Sequence, residues 1–386
     1  MYYPVSIRHI LVLSIILLFC LPVSAETTKV ELDLTDKYKK QRSLFLKAEY
    51  ALKHKKNKTY QKYYAKLDDY SLQIYLKYRA YRKNLSSKTE KQILTFLEQL
   101  QHTPYESRLR TAWLNLKAKN KQWQQYINAY TPQSSTERQC NHANALYNTG
   151  KHKQAFDKVP ELWLVGKSQP KACDSIFSAF KKAGKMTPQL VWERISLAMQ
   201  KGRTSLATYL ARSLSKKEQL WVREWIAIYK KPALSLSSKL LRQQHPMKST
   251  ILVNAIKRQV SKNPVTAIEL FESLDKKNNF SEQEYGEIYR AIGMKFAYRH
   301  KPDAWLWLDK ISDQESDLKV QQWRVRSAIR EYDWDAIDSA IKRLPEDEKS
   351  KSKWQYWEAS KLAQQGEKSA AQKQFSQISN ERGYYN

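Results

Sequence analysis

Histidine, cysteine and lysine are the residue types through which this chain could do chemistry. The seven histidines are scattered. His142 and His152 form the closest pair outside the first 25 residues, and they show neither the His-x-x-x-His pattern of a helical metal site nor a glycine-rich phosphate loop nearby. His142 stands beside Cys140, but neither Cys140 nor Cys173 has a second ligand at metal spacing. No metal and no cofactor is expected. Charge is abundant: 68 Lys and Arg face 38 Asp and Glu, a formal balance of +30. A field of that sign draws in polyanions; a lysine-rich surface that keeps the protein in solution is the competing reading. The run Lys53-His-Lys-Lys-Asn-Lys58 concentrates the charge. Lys53, Lys55, Lys56 and Lys58 are therefore candidate contacts for an anionic polymer or a membrane surface, against the alternative of a solvated turn between two helices.

Aromatic residues offer a second chemistry, because their faces stack on sugar rings. The chain has 12 Trp and 24 Tyr. Trp221 with Trp225 and Trp354 with Trp357 lie at i,i+4 and i,i+3, which puts each pair on one helical face and favours packing. Trp305 and Trp307 are two apart and cannot both face inward, so one of them is expected to be exposed; for the aromatics as a group packing is favoured over glycan contact.

The elements that must position these residues are helical. From residue 37 onward, Leu67, Tyr70, Ile74, Tyr78 and Tyr81 recur at steps of three and four. So do Trp221, Trp225, Ile228 and Tyr229, and later Ile329, Trp334 and Ile337; each set predicts one apolar helix face. Breakers come often: Thr103-Pro104, Thr131-Pro132, Thr187-Pro188, Lys231-Pro232, Asn263-Pro264, Lys301-Pro302 and Leu344-Pro345. Proline is tolerated in a first turn and excluded from helix interiors, so short helices of roughly 10 to 18 residues are expected. Gly150, Gly166, Gly184 and Gly202 are spaced 16, 18 and 18 apart. Leu146-x-x-x-Gly150-x-x-x-x-Ala155 is echoed by Ala198-x-x-x-Gly202-x-x-x-x-Ala207, and Leu362-x-x-x-Gly366-x-x-x-Ala370 is a shortened form. A helix pair repeating about every 34 residues is the signature of a tetratricopeptide-like solenoid. The expected fold is all-α: an irregular right-handed superhelix of helical hairpins, curved or ring-shaped, with a thin core. The mean hydropathy of −0.73 agrees.

The amino terminus sets the expected compartment. Arg8 precedes an apolar run of 12 residues, Ile10 to Leu21, followed by Pro22 and Val23-Ser24-Ala25. The run is short of the roughly 20 residues of a spanning helix and fits a secretory signal cleaved after Ala25; a retained anchor is the alternative. The expected organisation is thus a signal peptide over 1–25 and one superhelical domain over 26–386, soluble in the periplasm with no transmembrane segment. Two cysteines remain after cleavage. In an oxidising compartment the pair suggests one disulfide, Cys140 to Cys173, closing a loop of about 33 residues worth roughly 3.5 kcal/mol; two buried free thiols are the alternative. Export argues against nucleic acid as the polyanion. Peptidoglycan, with its peptide carboxylates, and acidic lipid surfaces are the remaining partners.

Several stretches resemble one family. Glu161-Leu-Trp-Leu-Val-Gly-Lys-Ser-Gln-Pro-Lys-Ala-Cys-Asp174 is similar to the sequence around one half of a disulfide in the superhelical domain of soluble lytic murein transglycosylases. Gln139-Cys140-Asn141 and Ala145-Leu-Tyr-Asn-Thr-Gly150 resemble the other half. Leu67-Asp-Asp-Tyr-Ser-Leu-Gln-Ile-Tyr-Leu-Lys-Tyr-Arg79, Leu109-Arg-x-x-Trp-Leu114, Arg343-Leu-Pro345, Trp354-x-Tyr-Trp357 and Glu381-Arg-Gly-Tyr-Tyr385 follow in the family's order. Ser71 departs from the proline common there.

The resemblance implies enzymes that cleave the β-1,4 bond between N-acetylmuramic acid and N-acetylglucosamine and leave a 1,6-anhydro sugar. In them a single glutamate of a lysozyme-like carboxy-terminal domain is acid and then base. Their catalytic Glu-Ser pairs with a downstream Gly-Leu-Met-Gln run. Here Glu106-Ser107, Glu272-Ser273 and Glu315-Ser316 lack such a run, and Ala198-Met199-Gln200 shares two letters with it inside a solenoid helix. No catalytic residue is carried over. The expectation is a superhelical domain without its catalytic domain, truncated or split, inactive alone, and docking on peptidoglycan strands, on the remainder of the enzyme or on another cell-wall protein. A free-standing helical-repeat scaffold binding proteins or glycan is the alternative, and an incomplete copy of an active enzyme is a third reading.

Overall fold

The computed structural model describes residues 27–67 and 69–379, with side chains from Tyr38 onward. The expected signal segment, Asp68 and the Glu381–Tyr385 motif lie outside the described residues. Every regular element among the described residues is helical. No helix there is long and apolar enough to cross a membrane. The chain divides into two compact units, one ending at Pro132 and the other beginning at Gln133. The boundary falls on the Thr131-Pro132 breaker.

The first unit contains α1 (Thr27–Lys53), α2 (Asn57–Tyr64), α3 (Gln73–Lys83), α4 (Glu90–Gln99), α5 (Pro104–Lys119) and α6 (Trp123–Ala129). At 27 residues α1 is longer than the breaker spacing predicts, because no proline or glycine interrupts it. Its inward stripe is Gln41, Phe45, Ala48 and Leu52, at steps of four, three and four. The last three join Tyr60, Leu67 and Leu76 in one buried cluster. Leu67 and Tyr70 lie in the turn before α3, not on it, and Ile74, Tyr78 and Tyr81 are half-buried. The expected stripe thus spans a turn as well as a helix.

The second unit contains α7 (Thr136–Asn148), α8 (His152–Asp157), α9 (Val159–Trp163), α10 (Cys173–Lys182), α11 (Pro188–Gln200), α12 (Thr204–Ala211) and α13 (Lys216–Lys230). After two 3-10 turns come α14 (Lys248–Lys262), α15 (Pro264–Asp275), α16 (Glu282–Tyr298), α17 (Ala304–Asp309), α18 (Leu318–Glu331), α19 (Trp334–Lys342), α20 (Glu346–Lys349), α21 (Ser352–Gln364) and α22 (Lys368–Ile378). The prolines act as starters. Pro188 follows Thr187, whose hydroxyl accepts from the Leu190 N–H, and Pro264 follows Asn263, whose amide oxygen accepts from Val265 and Thr266. A proline at the first helical position gives up an N–H that had no intrahelical acceptor anyway.

The repeat glycines serve two purposes. Gly202 joins α11 to α12 at φ +66, a left-handed bend that Gly150, Gly184 and Gly366 share. Gly166 does not make such a bend. It sits where a Cβ would lie 2.2 Å from the Leu197 carbonyl oxygen, so it lets the loop after α9 press on α11. The Ile329–Trp334–Ile337 set also differs from expectation: Tyr332 takes φ +54 and splits it between α18 and α19. All three residues still meet in one cluster with Trp354 and Trp357. Trp221 and Trp225 are buried as their spacing predicts. Trp305 and Trp307 are both half-buried, Trp305 against the α18–α19 cluster and Trp307 edge-on to Phe271. They do not divide into one inward and one open ring.

Candidate functional site

The lysine run forms the turn that reverses the chain between α1 and α2. Lys55 adopts φ +59. The Lys56 N–H then donates to the Ala51 carbonyl (2.9 Å) and the Lys55 N–H to that of Leu52 (3.3 Å). This is the paired closure that usually recruits glycine. The imidazole Nδ1 of His54 lies 2.8 Å from the Tyr50 carbonyl, which also accepts the His54 N–H. Lys53, Lys55, Lys56 and Lys58 are all exposed.

The structure gathers one of the four into a groove. Between α1 and α2 lies a cleft of about 680 Å³, lined by Lys39, Arg42, Ser43, Leu46, Lys47, Tyr50, Lys56, Thr59 and Tyr63. Among the described residues its lining includes four cations and no carboxylate. Lys53, Lys55 and Lys58 do not line it. Lys39, Arg42, Leu46 and Tyr50 follow the helical period on the side of α1 away from the Phe45–Leu52 stripe, so one amphipathic helix supplies both core and groove. Leu46 and Tyr50 are more than half exposed. The Lys56 ammonium stands 5.5 Å from the Tyr50 ring centroid and that of Lys47 5.9 Å from the Tyr63 ring. Among the described residues no acidic side chain pairs with any of the four cations. That arrangement suits an anionic ligand, with charge selecting it and apolar edges excluding water from the contact. The signal the sequence carries for it is the helical spacing of Lys39, Arg42, Leu46 and Tyr50 on one face of α1; the return of α2 that makes that face a groove is not a local feature.

Cys140 and Cys173 form a disulfide, with Cα atoms 4.9 Å apart and both residues buried. It ties the start of α10 to α7. Asn144, one turn after Cys140, donates to the Ala172 carbonyl at 2.7 Å, which reinforces the same junction. His142 is held neutral: burial first, then the charges of Lys158 and Lys151, lower its pKa to about 4. Among the described residues no group of three or more His, Cys, Asp or Glu is placed to hold a metal. The Glu-Ser dipeptides are apart from one another. Glu106 accepts from Arg110 one turn later on α5, Glu272 is an exposed residue of α15, and Glu315 is exposed in the loop before α18.

One polar cluster went unread in the sequence. Glu218 accepts from the Trp192 indole (2.6 Å) and from His245 Nε2 (3.1 Å), while His245 lies flat on Trp221 and its Nδ1 accepts from the Met247 N–H. The groups come from α11, α13 and the loop before α14, so no local spacing announces them. Every hydrogen-bonding atom of the imidazole is engaged, which marks a packing role.

No protein-family model matches the chain. Curated relatives do. The soluble lytic murein transglycosylase of Escherichia coli K12 is 29% identical over 329 residues, which is 83% of this chain and 50% of that protein. Its Salmonella typhimurium counterpart is 28% identical over the same share of each chain. Among solved structures, the 70 kDa soluble lytic transglycosylase of E. coli superposes at TM-score 0.73 with 26% identity, over 90% of this chain and 56% of that one. An inactive mutant of the lytic transglycosylase Slt from Pseudomonas aeruginosa gives TM-score 0.78 and 27% identity, over 89% and 56%. The chain spans about half the length of the curated relatives it matches. Identity spread over four-fifths of a chain, together with a shared succession of helices, is the mark of common descent. This protein is a homologue of the soluble lytic murein transglycosylases, all-α and built of the same stacked helical hairpins.

Proposed function

We propose that this chain is an exported, periplasmic member of the lytic transglycosylase lineage whose superhelical region docks on peptidoglycan. Residues 1–25 act as its signal peptide, and residues 26–386 form one functional domain. In this reading the chain binds the wall and does not itself cleave it. Glycan cleavage with a 1,6-anhydro product belongs to a catalytic partner or a further domain. The single observation that carries the reading is the groove between α1 and α2, where Lys39, Arg42, Lys47 and Lys56 converge with no acid among the described lining residues, in a homologue of murein-acting enzymes. Peptidoglycan is the abundant anionic polymer of the compartment to which the apolar amino terminus directs the chain, and a protein of net charge +30 is drawn to it.

The test is cosedimentation with purified sacculi, with soluble products of the same reaction analysed in parallel. Salt-sensitive pelleting without release of 1,6-anhydro muropeptides is the expected result. Release of such products by the purified chain alone would show that it carries catalysis, and no pelleting at low salt would dismiss the docking. A second reading, a scaffold for other cell-wall proteins, is favoured by the exposed Tyr38, Leu46 and Tyr50 on α1. It predicts capture of a discrete protein from periplasmic extract that survives removal of peptidoglycan.

A further inference from the structure

We infer that the α1–α2 groove selects the carboxylates of the peptide stems rather than the faces of the sugar rings. This rests on the docking reading above and names the part of the polymer that the site takes.

The argument comes from what the aromatic rings already touch. Sugar recognition by stacking needs a bare aromatic face. Tyr50 has the His54 ring against it, with centroids 3.9 Å apart at 31°, and the Lys56 ammonium over it. Tyr63 has the Lys47 ammonium over it. A pyranose would have to displace these partners. A carboxylate would not, because it binds the ammonium groups where they stand. Lys47 and Lys56 are each held near a ring, and none of the four cations is neutralised by an acid among the described residues, so the charge is presented, and for those two lysines little side-chain freedom remains to be lost on binding. Arg42 adds a planar fork that matches a carboxylate with two parallel hydrogen bonds. Lys39 and Arg42 are three residues apart on α1, and Lys47 and Lys56 line the same groove from α1 and from the residue before α2. The site is therefore suited to several carboxylates spaced along a peptide, and both of its tyrosine rings already have partners that a sugar would have to displace.

The experiment uses the full chain and two forms of one polymer: native sacculi, and sacculi whose carboxyl groups have been converted to methylamides with the glycan left intact. Poly-glutamate serves as a competitor with carboxylates and no sugar, and chitohexaose as one with sugar and no carboxylate. The inference predicts that methylamidation lowers retention at least about tenfold, that poly-glutamate competes, and that chitohexaose does not. It also predicts that K47E/K56E loses most of the retention on native sacculi, while K55E/K58E, equal in charge but off the groove, keeps it. Equal retention of native and methylamidated sacculi, or competition by chitohexaose, overturns carboxylate selection while leaving the docking in place. Loss of retention by K55E/K58E as large as by K47E/K56E overturns the assignment to the groove. Absence of retention on native sacculi removes the docking and this inference together. Helix content and melting temperature of both variants, unchanged from wild type, show that any loss is not unfolding.

Discussion

The indole of Trp354 donates to the buried carboxylate of Glu348 across 2.9 Å, six residues away at the turn into α21. Gln322 of α18 donates to the same carboxylate at 2.8 Å, Lys353 lies 2.7 Å from it, and Lys351 pairs with it too. Burial alone would raise this acid's pKa, but the four donors outweigh it and bring the pKa down to about 2. The folded value lies below the unfolded one. The stabilisation is therefore complete above about pH 4.5 and is lost as pH falls toward 2, and a shift of this size corresponds to about 3 kcal/mol. Glu348→Gln is expected to lower stability by 2 to 3 kcal/mol at about pH 7. In urea titrations the gap between variant and wild type should close between about pH 4.5 and 2. A gap that stays constant across that window would show that the carboxylate is not the stabilising species.

Reducing Cys140–Cys173, or replacing both residues with serine, frees a loop whose ends are 33 residues apart in sequence. The expected loss is about 3.5 kcal/mol from the second unit. The first unit should be unaffected. Hydrogen exchange resolved by segment checks this: faster exchange in α7 to α10 with α1 to α5 unchanged is the predicted pattern.

Gly166 and Gly202 separate two kinds of glycine requirement. Gly202→Ala meets a left-handed φ and the far end of the Tyr229 side chain, which can move, so a loss of about 1 to 2 kcal/mol is expected. Gly166→Ala drives a methyl into the backbone of α11 and is expected to cost about 3 kcal/mol or more. Denaturation midpoints rank the two, and the reverse order would contradict the close approach at Leu197.

Lys55 offers the opposite sign. Its left-handed φ is a cost that glycine does not bear. Lys55→Gly is expected to raise stability by about 0.5 to 1 kcal/mol. Because Lys55 does not line the groove, retention on sacculi should change less than twofold. A thermal melt and a pelleting assay on the same preparation measure both.

These contrasts show which parts of the molecule could be read from the chain. The helix starts were legible because Thr187-Pro188 and Asn263-Pro264 encode them within two residues. The buried face of α13 was legible because 3.6-residue periodicity is local. Tyr332 was not, since nothing in the sequence around a tyrosine demands a left-handed φ. The groove was partly legible. Lys56 stood out in a dense run, whereas Lys39, Arg42 and Lys47 acquire meaning once α2 folds back and places Lys56 and Tyr63 opposite them. Glu348 was opaque for the same reason, because its donor Gln322 comes from a helix 26 residues earlier.

The most direct test of the account compares two charge-matched variants, R42E/K56E and K55E/K58E, for equilibrium retention on native sacculi at low ionic strength. Docking through the groove predicts at least about a tenfold weaker affinity for the first and less than a twofold change for the second, with the difference fading as salt screens the contact. Equal weakening of both variants would mean that net charge, not the groove, holds this protein to the wall.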